Sequence, residues 1–365
     1  MLVFFGLVFI PPERAAAFPT VRADGIAQFL EHVLIEGKFY SVFSLLFGIG
    51  FGIQLERGGA EVLPRFRRRL RILLAIGALH AFLIWAGDIL MLYALLGFTL
   101  PWFARRTNRV LVRYAVLLLA VPTALYLAGL VVWLAVHSGS APASVPSPPP
   151  GILRRFEAVG TGGIKEAFVG NLIFVAGRWA DLFVTVRFPK VLGMFVLGLW
   201  AVRAGLALDP TAHRRTLAKW SLLGWSIGLP ANLLATWVLE RGPYLPPSPG
   251  GLLGVALQAV GIPLLALGYA ATAGLLVVSG SRWIGAFAPV GRMALSNYLS
   301  QSLICVVLSY GFGFGLWWHT GAAKAMLIAA IIIVAQIGLS AYLMSRFRFG
   351  PVEWVWRRLT YGRPI

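Results

Sequence analysis

The chain predicts an all-α, polytopic membrane bundle of about ten spanning helices, the first of them truncated. Three observations carry that prediction. Of its 365 residues, 59% are hydrophobic and 12% charged, with a mean hydropathy of +0.80. Soluble domains carry about a quarter charged residues, and no soluble fold of this length hides so much apolar surface. The apolar residues also fall in runs of spanning length, since crossing the hydrocarbon core takes about 20 helical residues. Finally, the basic residues gather in every second connection between those runs.

The first ten residues, MLVFFGLVFI, are apolar but lack a basic leader, and Pro11 and Pro12 interrupt them. They read as the outer half of a first helix rather than as a signal peptide. The runs that follow are approximately 38–56, 72–86, 87–104, 110–136, 188–206, 217–239, 251–279, 293–312 and 325–345. The short pair 72–86 and 87–104 reads as a tight helical hairpin, with Gly87 and Asp88 near its turn. No internal repeat of fixed period is present, so residues 1–365 read as one transmembrane domain.

The connections test this reading by their charge. Segment 57–71 holds Arg57, Arg65, Arg67, Arg68, Arg69 and Arg71, and segment 104–113 holds Arg105, Arg106, Arg109 and Arg113. Segment 203–219 adds Arg203, Arg214, Arg215 and Lys219, and segment 280–292 adds Arg282 and Arg292. The tail at 346–365 adds Arg346, Arg348, Arg357, Arg358 and Arg363. Together these hold 21 of the 32 Lys and Arg residues but only three acids, Glu61, Asp209 and Glu353, with Glu56 just before the first segment. One orientation puts all five segments inside, as the positive-inside rule demands, with both termini cytoplasmic. The net charge of +19 is therefore an orientation signal, and no nucleic-acid partner is expected.

The longest connection, 137–187, falls on the outer side. It begins with a Pro/Ser/Ala-rich tether, and its part from Ile152 to Val186 has the mixture expected of an amphipathic helix on the outer surface. A single cysteine, Cys305, excludes an intrachain disulfide and any multi-cysteine metal site. No metal is expected, and HExxH, GxSxG and Walker patterns are absent.

Ionisable residues within spans are costly and are functional candidates by default. His80 lies within AIGALHAFLIWAGDIL, and Asp88 follows eight residues later. On a continuous helix the two stand roughly 80° apart, close enough to share a face. A carboxylate beside an imidazole orients it and raises its basicity, as a general base requires. The bland alternative is a packed helix histidine bonded to a neighbouring carbonyl.

Glu36 and Lys38 sit at the mouth of the next run, either as an interfacial anchor or lining the same outer cavity as Asp88. Gly48 and Gly52 form a GxxxG that favours close helix packing. Ser296, Asn297, Ser300 and Gln301 open the run at 293–312. Asn297 and Gln301 share a face, bonding another helix or contacting substrate. In the tail, Arg alternates with Phe and Trp as in an interfacial belt, and Glu353 is placed to pair with a nearby Arg.

Four stretches carry a resemblance: EGKFYSVFSLLFGIGFGIQ, RRLRILLAIGALHAFLIWAGDILMLYALLGF, VGRMALSNYLSQSLI and FRFGPVEWVWRRLTYG. They resemble the YeiB-like family of bacterial inner-membrane proteins, whose shared domain is classed as one of unknown function. The resemblance runs from about residue 36 to the C-terminus, and departs from the family only where members carry a basic arm before the first helix. The family is similar, more distantly, to integral-membrane acyltransferases such as heparan-α-glucosaminide N-acetyltransferase.

That similarity implies an acyl group moved from a cytoplasmic donor, acetyl-CoA or another acyl-CoA, to a cell-envelope acceptor. It implies His80 as the catalytic residue with Asp88 supporting it. Arg65, Arg67, Arg68 and Arg69 are then the candidate donor contacts, and Glu36, Lys38, Trp85, Asn297 and Gln301 the candidate acceptor contacts. The expected partners are membrane lipids and an envelope or small-molecule acceptor. The alternatives are a transporter or flippase for a small or lipid-linked anion, without covalent chemistry, and a scaffold with no ligand.

Overall fold

The computed structural model describes residues 22–136, 150–241 and 248–362, and every regular element among them is helical. Residues 1–10, read above as half a helix, and the tether at 137–149 lie outside the described residues.

Helices α1 (Arg22–Leu34), α2 (Lys38–Gly58) and α3 (Val62–Leu83) follow one another almost without interruption. The break between α1 and α2 falls at Gly37, whose φ of +79° suits a residue without a Cβ. The expected connection 57–71 is therefore mostly helix. Its arginines ride on the first turns of α3, because arginine is a good helix former and the helix continues beyond the apolar run.

A turn over 84–89 then folds the chain back into α4 (Leu90–Gly97) and α5 (Leu100–Phe103). Next come α6 (Asn108–Val136), α7 (Pro150–Thr161), α8 (Ile164–Val184) and α9 (Arg187–Arg203). A π-turn at Gly224–Gly228 joins α10 (Arg214–Leu223) to α11 (Leu229–Leu239). The chain finishes with α12 (Pro249–Val278), α13 (Arg282–Arg292), α14 (Ala294–Ser309), α15 (Ala322–Arg346) and α16 (Pro351–Tyr361).

Among the described residues, six helical stretches are long and apolar enough to cross a membrane. They are Arg22–Leu83, Asn108–Val136, Ile164–Val184, Arg214–Leu239, Pro249–Val278 and Ala322–Arg346. Each apolar run expected from residue 38 onward falls on helix, but α9, α14 and the α4–α5 pair are shorter than a full crossing.

The centre of the bundle is the α2–α9 contact. A Cβ on Gly48 would strike the Phe195 carbonyl, and one on Gly198 would strike that of Leu45. The two backbones touch at these points, which is how small residues associate helices when lipid removes the hydrophobic incentive. Phe195 and Leu199 of α9 are fully buried there, packed in one cluster with Phe51, Leu111 and Ala115.

The segment expected as an outer connection holds two helices, and α8 has the length and apolarity of a span. Its Asn171 bonds the backbone of the α3–α4 turn, and α7 is held at the same end. The Gly311 amide beyond α14 donates to Val159 O of α7 at 3.0 Å. At its other end α8 passes through Val186, a β-branched residue held at φ +50°, directly into α9.

The basic segments meet at the opposite end. Arg203 donates to the carbonyls of Arg106, at 2.7 Å, and Ala104. Trp356 donates to Arg69 O at 3.2 Å, and Arg292 to Arg348 O at 2.9 Å.

Candidate functional site

The site grows from the break after α3. His80 stands in the last turn of that helix, and its carbonyl takes the closing amides of Ile84 and Trp85 at 3.0 and 2.8 Å. The turn swings back so that Asp88 Oδ1 lies 2.8 Å from His80 Nδ1, with both side chains 1% exposed. The two do not meet by sharing a helical face, as a continuous helix would require; the backbone folds back to join them. Asp88 fixes the start of the return strand of the hairpin, because its Oδ2 accepts the Met91 amide at 2.6 Å. A carboxylate in that position satisfies an amide that the helix itself leaves unpaired.

Two residues that sequence reasoning passed over complete the arrangement. Tyr298 of α14 donates to Asp88 Oδ1 at 3.4 Å and accepts the Ile89 amide at 3.3 Å. Its ring lies 5.2 Å from the imidazole, centroid to centroid. Asn171 of α8 holds the turn from the other side. Its Oδ1 accepts the Ala86 amide at 2.8 Å, and its Nδ2 donates to the carbonyls of Ala81 and Phe82 at 2.8 and 3.0 Å. Both were findable: a tyrosine hydroxyl in an apolar run needs a partner, and a lone Asn in VGNLIF is an intramembrane polar group.

The chemistry follows from this geometry. A carboxylate on Nδ1 selects the tautomer that carries its proton there, which leaves the Nε2 lone pair available. Nε2 is buried and has no hydrogen-bond partner among the described residues. Buried polar atoms are nearly always paired, so this unpaired nitrogen sets His80 apart as a candidate.

The remaining candidates are distributed differently. Trp85 is buried on the same turn, in a cluster with Val159, Tyr310 and Trp317. Lys38 and Glu36 turn apart rather than pair: Lys38 Nζ donates to His32 O at 2.6 Å, and Glu36 lies 3.6 Å from the His32 ring. Neither bonds to His80 or Asp88.

Asn297 and Gln301 bind α14 to α15. Asn297 Nδ2 donates to Ser340 Oγ at 3.0 Å, and Gln301 Nε2 to Gln336 Oε1 at 2.5 Å. Glu353 pairs with no arginine among the described residues. Its Oε1 instead accepts the Leu295 and Ser296 amides at 2.7 and 2.9 Å, capping α14 from another helix.

Of the candidate donor contacts, Arg65 and Arg68 line a cleft of about 360 Å³ at the basic end, whereas Arg67 is exposed outside it. Arg69 donates to Gln54 Oε1 at 2.6 Å and stacks over Trp356 at 4.4 Å. His80 stands about 16 Å farther along α3 than Arg69, at 1.5 Å per residue. The return strand Leu90–Phe103 is about 21 Å long, against a hydrocarbon core of about 30 Å. The His–Asp pair is enclosed in the bundle, on the turn that Asn171 of α8 holds.

Fold and site together define a multi-pass α-helical membrane protein with an enclosed His80–Asp88 pair. Comparison with known proteins gives the family. A family model described as "Protein of unknown function (DUF418)" matches residues 201–363. The uncharacterized protein YxaH of Bacillus subtilis (strain 168) is 30% identical over 359 residues, covering 93% of this chain and 83% of that protein. The uncharacterized protein YeiB of Escherichia coli (strain K12) is 30% identical over 338 residues, covering 88% and 81%. The chain belongs to the YeiB-like family. No solved structure matches it.

Proposed function

We propose that this protein transfers an acyl group within the membrane, from a donor held at the basic end to an acceptor that reaches His80 from beneath α8. The observation that carries the reading is the buried His80–Asp88 pair with an unpartnered Nε2. In this reading Nε2 takes the proton of an acceptor hydroxyl or amine as its oxygen or nitrogen attacks the donor's acyl carbonyl. Asp88 stabilises the imidazolium that results, and the proton passes to the leaving group as the acyl bond to the donor breaks. The donor is a substrate, acetyl-CoA or another acyl-CoA, and its acyl end must extend about 16 Å inward from Arg69. The basic end faces the cytoplasm by the charge rule, in the bacterial inner membrane.

The test incubates purified protein with radiolabelled acetyl-CoA and an envelope extract, wild type beside His80→Ala. Label in a product only with wild type supports transfer through His80. No transfer by folded wild-type protein overturns it and points to the transport alternative, in which the same pair would carry a proton.

A further inference from the structure

We infer that the basic end carries a diphosphate-binding groove built jointly by the first turns of α3 and the last turn of α16. Two clefts meet there. The larger, about 360 Å³, is lined by Pro64, Arg65, Arg68 and Arg71 on one side and by Thr360 and Tyr361 on the other. The smaller, about 90 Å³, shares Thr360 and Tyr361 and adds Arg69, Arg292, Arg357 and Glu353.

The orientation rule explains why arginines lie at this end, but not why six of them converge on one continuous groove. Three of the six have protein partners: Arg69 donates to Gln54 and stacks on Trp356, Arg292 donates to the Arg348 carbonyl, and Arg357 lies over Phe349 and Tyr361. In the groove, no carboxylate forms an ion pair with Arg65, Arg68 or Arg71 among the described residues. Arg357 Nε is buried without a hydrogen-bond partner. The one acid in the groove, Glu353, already serves the amino end of α14.

Guanidinium groups bind phosphate oxygens in pairs of parallel hydrogen bonds. Two adjoining clefts with arginines in each suit two linked phosphates better than one. The site deepens the transfer reading on its donor side, yet its binding can be measured without any transfer. A diphosphate can arrive on a soluble nucleotide or on a lipid.

The test uses the full chain in nanodiscs of uncharged phosphatidylcholine, with inorganic pyrophosphate as the probe and calorimetry as the readout. Wild type binds pyrophosphate beyond the effect of chloride at equal ionic strength. Arg65→Gln/Arg68→Gln weakens binding about tenfold or more, and Arg71→Gln alone weakens it in the same direction. Arg214→Gln/Arg215→Gln, an equal loss of charge in another basic segment, leaves it unchanged. ADP binding more tightly than pyrophosphate identifies a soluble source, and farnesyl diphosphate binding more tightly identifies a lipid one. Absent binding, or equal loss in both double variants, overturns the site. Pyrophosphate binding in this pattern without labelled acyl transfer would retain the groove and reject the transfer reading; transfer without pyrophosphate binding would do the reverse.

Discussion

His80 and Asp88 illustrate what a single sequence can and cannot reveal about a site. Their chemistry was legible, because an imidazole and a carboxylate eight residues apart in an apolar run have few cheap explanations. Their geometry was legible in part. The runs 72–86 and 87–104 read as a hairpin with Gly87 and Asp88 near its turn, and the chain does turn over 84–89. The contact itself, however, was read from helical periodicity. Periodicity places residues around a helix axis, whereas the contact forms beyond the helix end at Leu83. A Cβ at Gly87 would run into the Trp85 indole, a constraint that only coordinates display. The pairing has a direct consequence for Asp88→Asn. The amide keeps the shape of the carboxylate but no longer selects the productive tautomer of His80. Acyl transfer is expected to fall about 10²- to 10⁴-fold, with the thermal unfolding of the solubilised protein close to that of wild type. Undiminished transfer would remove Asp88 from the mechanism.

At the scale of elements, apolar runs and their ends were read well, because lipid forces every backbone polar group into helix. Segment 152–186 was harder. Its charges suggested a surface helix, and α8 instead presents Asn171 to three backbone groups of the turn between His80 and Asp88. Asn171→Ala leaves the buried Ala86 amide without its acceptor, and should destabilise the protein by about 1–3 kcal/mol. Thermal unfolding in a fixed detergent reads that loss, and acyl transfer should decline with it. Gly77 sits one turn before His80, where a Cβ would meet the Met91 amide that Asp88 accepts. Gly77→Ala should therefore push α3 from α4, costing about 1–3 kcal/mol and reducing transfer beyond what the stability loss explains. The opposite surprise came from Asn297 and Gln301, whose amides join α14 to α15. Spacing showed that they share a face but not what that face meets.

For the molecule as a whole, the alternation of charge was the most informative feature of the sequence. Its five basic segments converge at one end through contacts such as Arg203 with the Arg106 carbonyl and Trp356 with that of Arg69. The number of crossings was less legible, because Leu90–Phe103 and Ala294–Ser309 are helical but shorter than a full crossing. The His–Asp pair is buried within the bundle, with Asn171 of α8 bonded to its turn. Orientation can be checked after the buried Cys305 is replaced by Ser. An impermeant maleimide added to intact spheroplasts should label His319→Cys, and Ala60→Cys only after lysis. The reverse pattern would turn the molecule over and take the donor site away from the cytoplasm.

The most direct measurement follows a labelled acyl group across proteoliposomes of known orientation, with wild type and His80→Ala compared at equal protein. Donor offered to the basic end should yield labelled acceptor on the opposite side with wild type, and none with His80→Ala. Transfer that persists undiminished in His80→Ala would contradict the assignment of His80 as the base.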